Sequence, residues 1–166
     1  MFSFLWKKAC KRAAFTGLVV SLLASALFVS CQQPTGPVSP GTADDILGTW
    51  ESEYGEIYTI SDSEFSSGME WEGVWSGYKG NIVSRRPDND SGAGYITIKY
   101  TENDWNPGAI GNYYVVHYKE LTALTMKISG ASDSDGKLNQ KEAEDSYTVE
   151  NGCFELYSEL SKKGSD

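Results

Sequence analysis

Side chains that could perform acid–base or nucleophilic chemistry are scarce in this chain of 166 residues. His117 is the only histidine and lies in an apolar, alternating segment, where a lone histidine is usually structural or exposed. A zinc site normally needs several His or Cys ligands, so none is predicted. No serine has the surroundings of a nucleophile elbow. The sequence therefore predicts no catalytic residue, no metal and no cofactor, in a protein that is not an enzyme.

Two acidic features have spacings that could serve catalysis or cation binding. Glu70 and Glu72 on one strand would place two carboxylates about 7 Å apart, which a glycosidase could use. We interpret them as the solvated face of a strand, opposite Trp71. Residues 131–142 have EF-hand spacing at several positions, but Ala131 stands where the first ligating Asp belongs. We interpret this stretch as an acidic turn, with weak calcium binding as the alternative.

Aromatic rings that carry a polar atom are the most informative side chains. Residues 31–166 contain four Trp, ten Tyr and two Phe. Such rings line ligand cavities and contact surfaces, and they also fill small β-cores, the role that we favour for Trp50 and Tyr58. Trp105, in a loop with Pro107, is the predicted partner-binding residue. The residues that we predict to line a ligand site are Trp50, Tyr58, Trp71, Trp75, Tyr95 and Tyr113.

The elements that must position these rings are strands, because apolar and polar residues alternate from Ile46 onward between Gly, Asn, Asp and Pro. Gly55 indicates a hairpin between the first two strands, and residues 86–94 are a predicted loop. Ile96, Ile98 and Tyr100 share one strand face. The predicted strands cover residues 47–53, 56–60, 64–66, 69–75, 78–85, 94–101, 112–121 and 125–130.

The last part of the chain predicts one short helix and one hairpin. The helix covers 139–145, and Asn151-Gly152 favours a type I′ turn between strands 146–150 and 153–157. This register would place four apolar residues on one face: Tyr147, Val149, Phe154 and Leu156. The whole pattern predicts an all-β fold, a single antiparallel up-and-down β-barrel of about eight or nine strands, with a β-sandwich as the alternative.

Charge and length limit the class of partner. The chain has 14 Lys+Arg against 23 Asp+Glu, a net charge of −9. The four basic residues among 1–30 have no acidic neighbour there, so residues 31–166 carry 10 basic and 23 acidic groups, or −13. Repulsion from phosphates therefore argues against nucleic acid as a partner. These 136 residues are enough for one domain.

The N-terminus predicts export. Residues 16–30 are free of charge and follow a basic segment, as in a signal peptide, and they are too few for a membrane span of about 20 residues. The stretch Leu27-Phe28-Val29-Ser30-Cys31 resembles the lipobox of bacterial lipoproteins, in a relaxed form similar to that of spirochaetes. The resemblance implies cleavage before Cys31 and attachment to the membrane through acyl chains on that residue. The alternatives are an ordinary secreted protein and an uncleaved anchor.

The resemblance divides the chain into four parts. Gln32, after the lipidated cysteine, favours the outer over the inner membrane of a bacterial cell envelope. Cys153 is the only cysteine left in the folded part, so no disulfide is expected there. The parts are a signal peptide at 1–30, a lipidated Cys and Pro/Gly tether at 31–45, a β-barrel domain at 46–161 and a disordered tail at 162–166.

A Gly-x-Trp motif, Gly48-Thr49-Trp50, opens the first predicted strand. With Gly55, Tyr58-Thr59-Ile60 and a late Gly94-Tyr95-Ile96 strand, it resembles the lipocalin and calycin barrels and is similar to small lipocalin-like lipoproteins of spirochaetes. The resemblance implies an eight-stranded barrel that Trp50 closes at the bottom. It also implies binding of a small apolar ligand. The alternative is a filled barrel that serves as a protein-interaction or host-contact module without an internal ligand.

Overall fold

The computed structural model describes residues 43–88 and 90–164, so the signal peptide, Cys31 and most of the tether lie outside the described residues. Eight antiparallel strands each pair with the next in the chain, and β1 pairs with β8. The predicted all-β, up-and-down barrel is confirmed, with eight strands and no sandwich. The strands are β1 Gly48–Ser52, β2 Ile57–Ile60, β3 Glu64–Trp71, β4 Val74–Asp88, β5 Ala93–Asn103, β6 Tyr113–Lys119, β7 Thr125–Gly130 and β8 Ser158–Lys162.

In residues 43–88 and 90–164, helical structure is limited to three short elements outside the barrel strands. Two 3-10 helices cover Ala43–Ile46 and Pro107–Ala109, and one α-helix, α1, covers Gln140–Ser146. The predicted helix at 139–145 is thus confirmed within one residue, and the Asn139 side chain caps it by accepting a hydrogen bond from the Glu142 amide. Among the described residues, no helix has the length and apolar character needed to cross a membrane.

Side chains fill the barrel interior. Residues directly opposite each other on paired strands project to the same face. Trp50, Tyr58, Ser67 and Tyr78 are successive partners across β1 to β4 and therefore share the inner face. Inward residues alternate with outward ones along each strand, and the pairing of each strand with the next extends this assignment around the barrel. The large inward residues are all buried: Trp50, Tyr58, Ile60, Phe65, Tyr78, Ile96, Ile98, Tyr100, Tyr114, Val116, Tyr118, Met126, Ile128 and Leu160.

The barrel is closed at the end where the chain enters β1, and we call this the closed end. Trp50 is fully buried there, and its Nε1 donates a hydrogen bond to the Ile46 carbonyl at 2.8 Å. The Lys162 ammonium lies 5.0 Å from the Trp50 ring centre and donates to the Asp45 carbonyl at 2.8 Å. The amine thus satisfies a backbone acceptor while its charge faces the indole, and the two contacts stabilise Trp50 at the closed end.

Residues 64–75 differ from the prediction of two separate strands. β3 runs unbroken to Trp71, and the turn lies at Glu72 and Gly73, whose φ angles are 52° and 79°. Positive φ at both central residues is the requirement of a type I′ two-residue hairpin, which Glu-Gly meets without the usual Asn-Gly signature. Glu72 therefore lies in the turn, so it does not share a strand face with Glu70. Trp71 pairs with Val74, which places it on the face opposite Trp75.

β4 continues to Asp88, so most of the loop predicted at 86–94 is strand. Its residues 84–88 pair with 93–97 of β5 beyond a bulge at Val83. The sequence pattern ends the strand at residue 85 because Arg86-Pro87-Asp88 has the composition of a turn or loop.

The predicted hairpin at 146–157 is wrong. Asn151 and Gly152 do form a turn, with the Gly152 amide donating to the Val149 carbonyl at 3.0 Å, but the flanking residues do not pair as strands. The segment instead covers the outer face of β5 and β6, where Phe154 contacts the rings of Tyr95 and His117. Tyr147 and Phe154 are buried, whereas Val149 and Leu156 are exposed, because contact with the barrel wall, not hairpin parity, decides their orientation.

Candidate ligand-binding site at the open end of the barrel

The end opposite Trp50 carries the connections β1–β2, β3–β4, β5–β6 and β7–β8, and we call it the open end. A cleft of about 320 Å³ lies there. Inward residues of four strands, together with one residue of the β1–β2 connection and one of the segment before β8, form much of its lining: Glu56, Tyr58, Ser67, Tyr78, Tyr114 and Leu156.

Tyrosine rings form the floor of the cleft. The Tyr78 ring centre lies 5.6 Å from that of Tyr100 and 5.9 Å from that of Tyr114, and Tyr100 stacks on Tyr114 at 5.1 Å. These edge and stacked contacts separate the cleft from the filled interior. Burial raises the pKa of Tyr58, Tyr78 and Tyr114 well above the ordinary value, so their phenols are neutral at physiological pH.

One carboxylate is held in place at the edge of this floor. Glu56 accepts hydrogen bonds from the Tyr58 hydroxyl at 2.7 Å and from the Ser67 hydroxyl at 2.8 Å, one at each oxygen. Glu155, on the segment that precedes β8, is a second acidic residue of the lining. Among the described residues that line the cleft there is no Lys, Arg or His. The cleft therefore has a negative electrostatic character.

A two-stranded arm, residues 69–76, extends beside the cleft. β2 pairs with β3 only as far as Gly68, and β5 reaches β4 only at Tyr78, so the arm projects beyond both neighbours. Trp71 and Val74 are 72% and 67% exposed at its tip. Trp75 instead lies against Gly68, where a Cβ atom would be 2.6 Å from the indole Cζ2.

Trp105, the predicted partner-binding residue, stands beside the arm. It is 57% exposed, and its Nε1 donates to the Ser76 hydroxyl at 2.9 Å. Its ring centre lies 5.8 Å from that of Tyr78. The indole thus connects the base of the arm with the floor of the cleft.

The structure brings one of the six predicted ligand-site residues, Tyr58, into the cleft. Trp50 is at the closed end, while Trp71 and Trp75 are on the arm. Tyr95 and Tyr113 lie on the outer face, because they alternate with the inward residues of β5 and β6. The role of these residues in binding stays a prediction. The cleft residues that sequence analysis did not single out include Glu56, Ser67, Tyr78 and Tyr114. The two tyrosines carry a signal in the sequence, because each lies on the inward face of its strand.

His117 lies under the C-terminal segment, on the outside of the barrel. Its Nδ1 is 2.8 Å from the Tyr157 hydroxyl, and its ring contacts Tyr95 at 4.7 Å. Burial, together with the nearby charge of Lys119, lowers the pKa of His117 to about 4, so the ring is neutral at physiological pH. This position separates the one histidine from the cleft.

The acidic stretch 131–142 uses its carboxylates within the protein. Asp133 pairs with Lys137 at 2.7 Å and accepts from the Tyr147 hydroxyl at 2.9 Å, and Asp135 accepts from the Asn106 amide at 2.6 Å. Within residues 43–88 and 90–164, no three His, Cys, Asp or Glu side chains are grouped so that they could hold a metal ion. The geometry agrees with the interpretation as a turn.

No protein-family model matches the chain, nor does any curated protein or solved structure. The fold is a closed eight-stranded barrel. A functional hypothesis for this chain therefore has to be argued from its own residues, at the two ends of the barrel and in the N-terminal sequence.

Proposed function

We propose that the protein is a lipid-anchored lipoprotein of a bacterial cell envelope whose lipocalin-like barrel binds a small molecule at its open end, without catalysis. The observation that carries the proposal is the cleft of about 320 Å³, whose floor consists of rings with polar atoms. This volume is at the lower end of the range for ligand pockets, about 300–1,000 Å³. The ligand therefore sits at the barrel mouth, because side chains occupy the space below Tyr78 and Tyr114.

The anchor follows from the lipobox-like stretch that ends at Cys31. Fourteen residues, 32–45, separate this cysteine from the domain, and the chain enters β1 at the closed end. A tether of this length spans at most about 50 Å. Gln32, directly after the cysteine, favours the outer membrane.

Lipidation is tested by labelling cells that express the full chain with an alkyne analogue of palmitate. The wild-type protein and a Cys153→Ser variant are expected to take up the label and partition into detergent. Cys31→Ser is expected to lose both properties. Labelling of Cys31→Ser, or loss of label only in Cys153→Ser, would contradict the anchor. Cys153 is a matched control because it is the one free thiol of the described domain.

Ligand binding is tested by native mass spectrometry of protein purified without denaturant. We expect a bound mass that is released on unfolding. Tryptophan emission should change when the ligand is removed, because Trp105 contacts Tyr78 on the floor of the cleft. An apo mass together with unchanged emission in the presence of added small molecules would contradict a carrier role.

The second candidate is a filled barrel that contacts another protein through the open end. The specific observation is the arm, with Trp71 and Val74 exposed at its tip. The test is in-cell crosslinking of the Trp71→Ser variant against Leu124→Ser, since Leu124 is 70% exposed at the closed end. Loss of a crosslinked partner in Trp71→Ser alone would favour this candidate, and equal crosslinking in both would contradict it.

A further inference from the structure

We infer that the ligand of the open-end cleft is an organic cation, a small protonated amine with an apolar or aromatic body. The inference rests on the proposed small-molecule function of this cleft and adds the chemical class of its ligand. It is carried by the combination of an oriented carboxylate, stacked tyrosine rings and the absence of a cationic side chain from the described lining.

Charge decides against an anionic ligand. Glu56 and Glu155 are the charged residues of the described lining, and neither has an ion-pair partner within 4.0 Å among the described residues. A carboxylate or phosphate ligand would meet two like charges and no Lys, Arg or His to offset them. A cation would instead be attracted, which favours both its approach and its bound state.

Glu56 is arranged to receive a donor. Each of its oxygens accepts one hydrogen bond, from the Tyr58 or the Ser67 hydroxyl, at 2.7 and 2.8 Å. A carboxylate oxygen has two lone pairs, so each one retains acceptor capacity after this bond is made. The two hydroxyls hold the group in one orientation without neutralising its charge. An ammonium group could therefore bind to it with little rearrangement.

The tyrosine floor suits the rest of the ligand. Tyr58, Tyr78 and Tyr114 are lining residues. An aromatic ring attracts a cation at its electron-rich face and also packs against an apolar body. Leu156, which is 86% exposed, adds an apolar wall across the cleft. A molecule with an ammonium group a few bonds from an aromatic or aliphatic body would satisfy both surfaces.

Three probes of one shape separate charge from size. They are 2-phenylethylamine as the cation, 2-phenylethanol as the neutral isostere and 3-phenylpropionate as the anion, titrated into the purified full chain at pH 7 while tryptophan emission is recorded. We expect the amine to bind at least tenfold more tightly than the alcohol, and the anion not to saturate. Equal affinity of the alcohol and the amine, or tighter binding of the anion, would overturn the inference.

Two matched variants assign the effect to Glu56. Glu56→Gln keeps the side-chain shape and is expected to weaken amine binding at least tenfold while leaving the affinity for the alcohol within twofold. Glu53→Gln removes an equal charge from an exposed position of the same connection and is expected to change amine binding less than twofold. Equal losses in the two variants would overturn the role of Glu56. Far-UV circular dichroism and melting temperature establish that both variants fold.

The experiment also separates this inference from the proposed function. Binding of the neutral or the anionic probe in preference to the amine would retain a small-molecule cleft and reject the cation. Binding of none of the three would reject the cation too. The small-molecule function itself fails when, in addition, native mass spectrometry finds no bound mass on the purified chain.

Discussion

Replacement of Leu160 by alanine tests whether β8 closes the barrel by burial. Leu160 lies opposite Met126 of β7 and Ser52 of β1, so its side chain joins the two strands that β8 brings together. It is 2% exposed, whereas Leu156, four residues earlier, is 86% exposed. The two leucines are therefore matched in chemistry and differ in burial.

The expected magnitude follows from this burial. Truncation of a fully buried leucine to alanine costs about 2–5 kcal/mol, through lost transfer free energy and the cavity that remains. A domain of this size unfolds with about 5–15 kcal/mol, so the loss is a large part of the total. Leu156→Ala removes a side chain already in water and should change the free energy of unfolding by about 0.5 kcal/mol or less.

Urea denaturation followed by tryptophan emission measures both effects. With an m value of about 1.5 kcal/mol/M, a loss of about 3 kcal/mol lowers the urea midpoint by about 2 M. Equal urea midpoints for Leu160→Ala and Leu156→Ala would refute the reasoning, because burial of the Leu160 side chain in β8 would then contribute nothing to stability. A lower m value in Leu160→Ala alone would instead indicate a barrel that is already open before denaturation.

Three further perturbations test other parts of the structure. Gly77→Ala would place a Cβ atom 2.2 Å from a carbonyl oxygen of β3, so we expect it to lower the free energy of unfolding, measured by thermal melting, by about 1–3 kcal/mol. Gly108→Ala, whose nearest contact is at 3.5 Å, should change it by no more than about 0.5 kcal/mol. Equal losses in the two variants would contradict the close approach of β3 and β4. The pKa of His117 is lowered to about 4 in the folded protein, below its value of about 6.5 in an unfolded chain, so the unfolded state binds the proton first as pH falls. Stability should therefore decrease from about pH 6.5 toward pH 4, and urea midpoints at pH 7 and pH 5 should differ less in His117→Gln than in the wild type. Asn139→Ala removes the cap of α1 and should cost about 1 kcal/mol, read from the urea midpoint, with an unchanged midpoint counting against the cap.

Alternation of apolar and polar residues was enough to predict most of the barrel. β7 was predicted with its observed bounds, and β1, β5 and β6 within about two residues, because each has one face toward a filled interior. The turn at Glu72 and Gly73 was missed because both residues continue an apparently regular strand pattern. Only their positive φ angles reveal the reversal.

The candidate site was less predictable because a second buried surface competes for aromatic residues. Tyr95 alternates with Ile96 and Ile98, so strand parity alone places it outside the barrel. Its aromatic character nevertheless suggests a ligand site. The ring is there for another reason, since the C-terminal segment covers that outer face and packs Phe154 against Tyr95. Composition cannot separate an interior ring from one buried under such a segment. Glu56 had no signal, since its role depends on two hydroxyls that meet it only in the folded barrel.

The pairing of the first and last strands sets the order of events during synthesis. Until residues 158–162 leave the ribosome, β1 and β7 have no partner on one side, and the sheet presents two free edges. Free edges are templates for pairing with other chains. A chain that ends before residue 158 therefore cannot form the closed barrel, and its products should aggregate rather than accumulate as partly folded monomers.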